Sequence, residues 1–259
     1  MRTKPLSSAN QDTVNSVVRA LSILEVMARA RREVSISELH RELGLSLSTL
    51  HRLLATMQKK GFVRQNPNTM KYGLGLKAFE VGSAFASQMG AREYVISLMG
   101  ELANLTGETI NLAVLDSTEI VFLDKIESKE PLRIGIDIGT RVPSYCSALG
   151  KVLLAYLPPE ELEAKLALMN FKKYTQNTIT DKERFRREIE TIRQQGFSLD
   201  NEEYVPGIRC LGAPIRDRFN RVIAALSVAG PTLRLTDERL PEITRMLKET
   251  ADKISGVWR

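Results

Sequence analysis

Cysteine and histidine are scarce: Cys146 and Cys210 are the only thiols, and His40 and His51 the only imidazoles. Two thiols are too few for a disulfide framework and fit a reducing compartment in which they stay free. Both histidines fall in the first third, so the rest of the chain lacks the commonest base and metal ligand near neutral pH. No run of about 18 apolar residues occurs, which excludes a hydrophobic spanning helix. Residues 1–11 carry charged and polar groups without the apolar core of a secretory signal. These absences lead to the expectation of a cytoplasmic protein with no membrane attachment, metal or cofactor.

What is present is a globular composition. With 43% hydrophobic and 26% charged residues, a chain of 259 residues makes one large domain or two ordinary ones. The net charge of +6 is unevenly spread: residues 1–89 hold 13 Lys and Arg against 6 Asp and Glu, and the remainder holds 24 against 25. Such asymmetry suits a polyanion-binding module joined to a neutral one, because Lys and Arg that neutralise phosphates supply most non-specific affinity for DNA. A merely solvated basic surface would give the same count.

Val14, Val17, Val18, Leu21, Leu24 and Met27 recur at steps of three and four, which predicts a first helix with those side chains inward. Ser35 and Glu38 have the spacing of a capping box for a short second helix, with Ile36, Leu39 and Leu43 facing the core and Gly44 ending it. Ser46 is the expected cap of a third helix, with Leu47, Leu50, Leu53, Leu54 and Met57 on its inner side. Ser48, Thr49, His51 and Arg52 then project outward from its first turns, followed by Thr56, Lys59 and Lys60. Short hydroxyls and cations at that end are what a recognition helix offers the major groove. Residues 61–65 and 70–72 read as two strands around the turn Asn66-Pro67-Asn68-Thr69, a wing carrying Arg64 and Lys71. Winged helices also serve protein partners, and that alternative stays open.

The segments Ser35-Ile36-Ser37-Glu38-Leu39, residues 44–54, Gly61-Phe62-Val63 and Tyr72-Gly73-Leu74-Gly75 resemble the DNA-binding domain of the IclR family of bacterial transcription regulators. The resemblance runs through nearly the whole chain and implies an α+β protein in three parts. These are a winged helix-turn-helix in residues 1–73, a linker helix in 74–90, and a GAF-like effector domain with a central antiparallel sheet in 91–259. It implies contacts to a palindromic double-stranded operator from Ser46, Ser48, Thr49, His51 and Arg52, with Arg64 and Lys71 on the wing and Arg19 of the first helix against phosphate. It also implies a homodimer, or a dimer of dimers, joined through the DNA-binding domains and the linker. The apolar, small-residue composition of residues 74–89 fits that role, and fits an ordinary intradomain helix as well.

In the C-terminal part a helix at 94–106 leads to expected strands at 110–115, 119–125 and 132–138, then a loop and helix at 146–157. A helix at 181–195, strands at 196–203, 208–215 and 222–228, and a closing helix at 237–258 complete an α+β order. Little in it suggests catalysis. Gly150-Lys151 resembles the end of a phosphate-binding loop, but Tyr145 stands where the first glycine belongs and Val152 replaces the hydroxyl residue. The expectation is that the chain is not an enzyme.

What remains is a binding constellation. Tyr145, Cys146, Ser147, Ala148 and Leu149 gather hydroxyls, a thiol and backbone amides at a helix start, a natural carboxylate or phosphate site. The IclR resemblance adds Asp200, Glu202, Cys210 and Ser227. It implies a small carboxylated effector, a keto or sugar acid, held by the backbone of Ala148 and Leu149 and by Asp200, Cys210 and Ser227. Ala229 stands where some members carry a second serine, so one hydroxyl contact is missing. The expected function is repression of a catabolic operon under control of that metabolite. Two alternatives accompany it: a redox switch through Cys146 and Cys210, and a GAF-like enzyme fused to a winged helix.

Overall fold

The computed structural model describes residues 13–88, 92–133 and 135–257. The expected polar start at residues 1–11, the end of the linker at Met89 and Gly90, and the final turn at Trp258 lie outside the described residues. The chain divides into two compact units, Met1–Gln88 and Met89–Arg259, and most of the segment expected as a linker, 74–90, groups with the first.

The first unit contains α1 (Asn15–Ala30), α2 (Ile36–Leu43), α3 (Leu47–Lys59), a hairpin of β1 (Val63–Gln65) and β2 (Tyr72–Leu74), and α4 (Leu76–Gln88). The capping box forms: Glu38 N donates to Ser35 Oγ at 3.2 Å, and Ser35 N donates to the Glu38 carboxylate at 2.7 Å. Gly44 ends α2 at φ +65, a left-handed conformation that strains any residue with a Cβ. The hairpin pairs Val63 with Leu74 and Gln65 with Tyr72. Its second strand starts later than the residue types suggest, because Met70 takes φ 54 and closes the turn onto the Asn66 carbonyl at 2.8 Å.

The core of this unit corrects the reading of α1. Ile23, Val26 and Met27 are buried with Leu39, Leu50, Leu54, Met57, Val63 and Tyr72. Val14, Val17, Val18 and Leu21 are instead 64, 54, 46 and 54% exposed. At 100° per residue the two sets fall on nearly opposite sides of the helix, and the small core reaches only one of them. Leu47, expected inward, is likewise 47% exposed, since it opens α3 beyond the edge of that core.

The second unit comprises α5 (Arg92–Thr106), β3 (Thr109–Asp116), β4 (Glu119–Ile126), β5 (Arg141–Pro143), α6 (Ala148–Ala155), α7 (Pro159–Leu168), α8 (Lys182–Gln195), β6 (Ser198–Asn201), β7 (Ile208–Arg216), β8 (Val222–Pro231) and α9 (Leu240–Ser255). The strands form one antiparallel sheet in the order β5-β4-β3-β8-β7-β6. Strand alternation sends Ile110, Leu112, Leu211, Leu226 and Val228 into a core shared with α5 and α9. The opposite face gives Ala113, Ile120, Phe122 and Ala225 to a core that includes α6, α7 and α8. All eight residues of α6 are buried there.

Residues 132–133 and 135–138 do not form the expected strand; the edge is taken by β5, which pairs Val142 with Ile120. Gly139, at φ +81, turns the chain back towards Phe122, and Ile136 packs on the core instead of pairing. The helix α7 was not anticipated, because Leu162 and Leu166 alone supply its buried stripe. Among the described residues no helix is long and apolar enough to cross a membrane.

Candidate functional site

On the first unit, α3 turns Ser48, His51 and Arg52 to solvent and leaves Thr49 half-buried. The Ser46 hydroxyl is engaged by the helix itself: it accepts from Thr49 N at 3.3 Å and lies 3.1 and 2.9 Å from the hydroxyls of Ser48 and Thr49. Ser46 therefore orders the hydroxyls of the first turn. Arg19, Thr49 and Arg52 border one groove between α1 and α3. Arg19, Arg52 and Lys71 are exposed with no ion-pair partner among the described residues, so their charge is free for phosphate. Arg64 differs, pairing with Glu33 at 3.0 Å. Glu33, which residue patterns did not single out, also accepts from Asn66 Nδ2 at 2.9 Å and Thr69 Oγ1 at 3.4 Å, and so braces the wing.

In the second unit α6 meets the sheet over a cavity of about 50 Å³. Strand register builds its floor: Asp200 lies opposite Cys210, Cys210 opposite Ala229, and Ser227 opposite Asn111. Ser147, Ala148 and Leu149 form a wall, and Ile120, Phe122, Ile136, Val142, Tyr204 and Ile208 supply most of the apolar lining.

The start of α6 presents backbone donors at a capped helix end. Ser147 accepts from Gly150 N through its hydroxyl at 3.1 Å and from Lys151 N through its carbonyl at 2.9 Å. The amides of Ala148 and Leu149 are the first-turn donors that remain without an intrahelical partner, at the positive end of the helix dipole. Gly150 is required for this close seating, since a Cβ there would lie 2.2 Å from the Ser144 carbonyl oxygen. Asp200 is 4% exposed and accepts from Glu203 N at 2.7 Å. Burial pushes its carboxyl up to about 7, against the stabilising backbone donor. Near neutrality a good part of it is the neutral acid, able to donate to a ligand carboxylate.

Three candidate residues are directed elsewhere. The Tyr145 hydroxyl donates to the Lys172 carbonyl at 2.7 Å, the Cys146 thiol points to the Pro143 carbonyl at 3.7 Å, and Glu202 accepts from Gly207 N at 2.7 Å to close a turn. Ser147, Ala148, Leu149, Asp200, Cys210 and Ser227 share the cavity. Burial, with Asp200 and Glu203 nearby, raises both thiols above the ordinary range. That works against the thiolate a redox switch needs. Among the described residues no group of three or more His, Cys, Asp or Glu side chains is placed to hold a metal ion.

Around this cavity two residues were missed. Asn111 lines the cavity from β3, where an isolated amide in an apolar strand gave no signal. Lys151, noticed only as a failed phosphate-loop lysine, is wholly buried. Its ammonium donates to Glu203 at 2.6 Å, Glu188 at 2.8 Å and the Leu199 carbonyl at 2.6 Å. Burial acts against its charge, but Glu203 and Glu188 outweigh that and hold the ammonium above its ordinary range.

This pairing of a capped reading helix with a sheet-and-helix cavity is matched in both halves by known proteins. Residues 16–67 match the IclR helix-turn-helix domain, and residues 84–256 match the bacterial transcriptional regulator IclR C-terminal family. The chain belongs to the IclR family. Like its IclR relatives it is a DNA-binding transcription regulator and not an enzyme. The HTH-type transcriptional regulator KdgR of Escherichia coli is 41% identical, over 95% of this chain and 93% of that protein. The transcriptional repressor IclR of Escherichia coli is 35% identical over 93% of this chain and 89% of that protein. The crystal structure of the Thermotoga maritima IclR superposes with a TM-score of 0.76 at 33% identity, covering 93% of this chain and 98% of that one. An IclR homolog from Microbacterium hydrocarbonoxydans, complexed with 4-hydroxybenzoate, superposes with a TM-score of 0.84 at 26% identity, covering 94% of this chain and 99% of that one.

Proposed function

We propose that this IclR regulator is a cytoplasmic repressor of a catabolic operon, and that a small carboxylated metabolite such as a keto or sugar acid controls its hold on a palindromic operator. The observation that carries this reading is the anion-ready end of the cavity: free amides at Ala148 and Leu149, with Ser147, Asp200, Cys210 and Ser227 on the same enclosed surface. Two relatives support it. The Escherichia coli IclR protein is a repressor, and the Microbacterium homolog was crystallised with a carboxylate.

Ser48, Thr49, His51 and Arg52 are proposed to read bases, with Arg19 and Lys71 on phosphates and Arg64 holding the wing that approaches the duplex. A two-fold operator calls for a two-fold protein. The exposed stripe Val14, Val17, Val18 and Leu21 on α1, and Leu76, Phe79 and Val81 on α4, offer apolar surface for a homodimer, from which a dimer of dimers can be built. Control requires that the effector prefer one arrangement of the protein over another, and a preference of about 1–3 kcal/mol gives roughly 5- to 150-fold regulation.

The test is binding of the purified protein to DNA upstream of its own gene, titrated against salt, with and without a panel of keto and sugar acids. Specific, steeply salt-dependent binding that one acid weakens is the expected result. Specific DNA binding indifferent to every carboxylate would overturn the effector half of the reading.

A further inference from the structure

The cavity floor contains a hydrogen-bond acceptor that the protein leaves unmet. Asn111 is 2% exposed, and its Oδ1 has no hydrogen-bond partner among the described residues. Its Nδ2 reaches Ser227 Oγ, at 3.4 Å, and no other acceptor among the described residues. The neighbours of Asn111 along β3, Ile110 and Leu112, turn to the other core, whereas Asn111 faces the cavity beside apolar Ile120 and Phe122. An aliphatic residue would suit that lining. A buried amide oxygen with no partner is therefore a specific feature that calls for a donor from outside the chain.

Strand order says where such a donor must sit. Ser198, Gly212, Ser227 and Asn111 form one row across β6, β7, β8 and β3. The start of α6 lies over the β6–β7 end of this row: Ser198 Oγ donates to the Ala148 carbonyl at 2.6 Å, and a Cβ on Gly212 would come within 2.8 Å of that oxygen. From β7 to β3 is two interstrand spacings, about 10 Å. Allowing a hydrogen bond of about 3 Å at each end, a ligand anchored by its carboxylate on α6 reaches Asn111 with a group roughly three or four carbon–carbon bonds further along.

We infer that Asn111 is a specificity-determining residue of this cavity, and that its Oδ1 accepts a hydrogen bond from a hydroxyl carried on the ligand's chain, remote from the carboxylate. The inference rests on the proposal that the cavity takes a carboxylate, and narrows it to hydroxylated acids. A ketone at the same carbon has no proton to give, and a methylene leaves the oxygen as unmet as before. Ser227 accompanies this choice, because its hydroxyl accepts from Asn111 Nδ2 and keeps the amide oriented with its oxygen towards the cavity.

The experiment is calorimetric titration of the full-length protein with unbranched acids of four to six carbons, each as the hydroxy, oxo and unsubstituted form at the fourth or terminal carbon. The expected result is that one hydroxy acid binds about tenfold more tightly than its oxo and unsubstituted partners. Asn111→Leu should bind all three forms within about twofold of one another, and Asn111→Ser, which keeps an acceptor, should retain part of the preference. Equal binding of the three forms by the wild-type protein overturns the inference while leaving the carboxylate proposal intact. A preference for the oxo form that Asn111→Leu abolishes also overturns it, since the amide would then be presenting its Nδ2. Failure of every acid to bind removes the carboxylate proposal, and the inference with it.

Discussion

Replacing Lys151 with methionine tests how the effector unit is held together around its cavity. The substitution keeps most of the aliphatic length and removes the ammonium that serves Glu203, Glu188 and the Leu199 carbonyl. Glu188 has a side chain 30% exposed and can turn to water, but that of Glu203 is 6% exposed and cannot. Removing one partner of a buried pair costs about 3–5 kcal/mol, because the remaining charge has lost its ion-pair partner. For a unit of this size each kcal/mol moves the melting temperature by about 2–4 °C, so the expected drop is about 6–20 °C. Differential scanning calorimetry of the full chain reads it directly. Adding Glu203→Met should recover much of the loss, since well-packed apolar groups replace a buried ion pair at little cost. The backbone amide of Glu203 also holds Asp200, so the single variant should lose effector affinity while retaining operator binding in the absence of effector. A melting temperature unchanged within 2 °C, or a double variant less stable than the single one, would refute this account of Lys151.

Arg52→Ala should weaken operator binding and reduce its salt dependence by about one counterion's slope, with effector affinity unchanged; gel-shift titrations at several salt concentrations decide it. Asp200 has a folded value raised to about 7, so its stabilising effect is present at low pH and is lost as pH climbs from the ordinary carboxyl range through about 7. If its acid form donates to the effector, affinity should fall about tenfold per unit above that pH, and calorimetry at pH 6 to 9 should find this slope in the wild type and not in Asp200→Asn. Gly150→Ala drives a Cβ into the Ser144 carbonyl and should displace α6, visible as lost effector binding and a lower melting temperature. The double substitution Val17→Glu, Leu21→Glu alters side chains that are already exposed, so helicity should persist by circular dichroism. Its expected effect is a lower mass by light scattering with weaker operator binding, and an unchanged mass would remove α1 from the dimer surface.

Local chemistry was legible wherever it involves residues close in sequence. The Ser35–Glu38 box, the Gly44 stop, the Ser46 cap and the hairpin around Asn66 each follow from spacing within a few residues, because caps and turns are made by neighbours. The strands expected at 208–215 and 222–228 likewise appear as β7 and β8. Where patterns misled, the missing information was what lay opposite. The stripe Val14–Leu21 has helical period, yet period does not say whether a core is present to cover it. The apolar run 132–138 alternates like a strand, but the edge goes to β5, Gly139 turns the chain, and Ile136 lines the cavity instead.

By itself, then, the sequence determined the helix-turn-helix, its caps, the hairpin, and a helix start at Ser147, all products of short-range geometry. Only the tertiary structure decided which residues the cavity contains. It brought Asn111 beside Ser227 across 116 positions and buried Lys151 between Glu188 and Glu203. It also turned Tyr145, Cys146 and Glu202 away to other partners. The physical reason is that strand register and the stacking of α6 on the sheet set these distances, and both depend on packing between segments far apart in the chain.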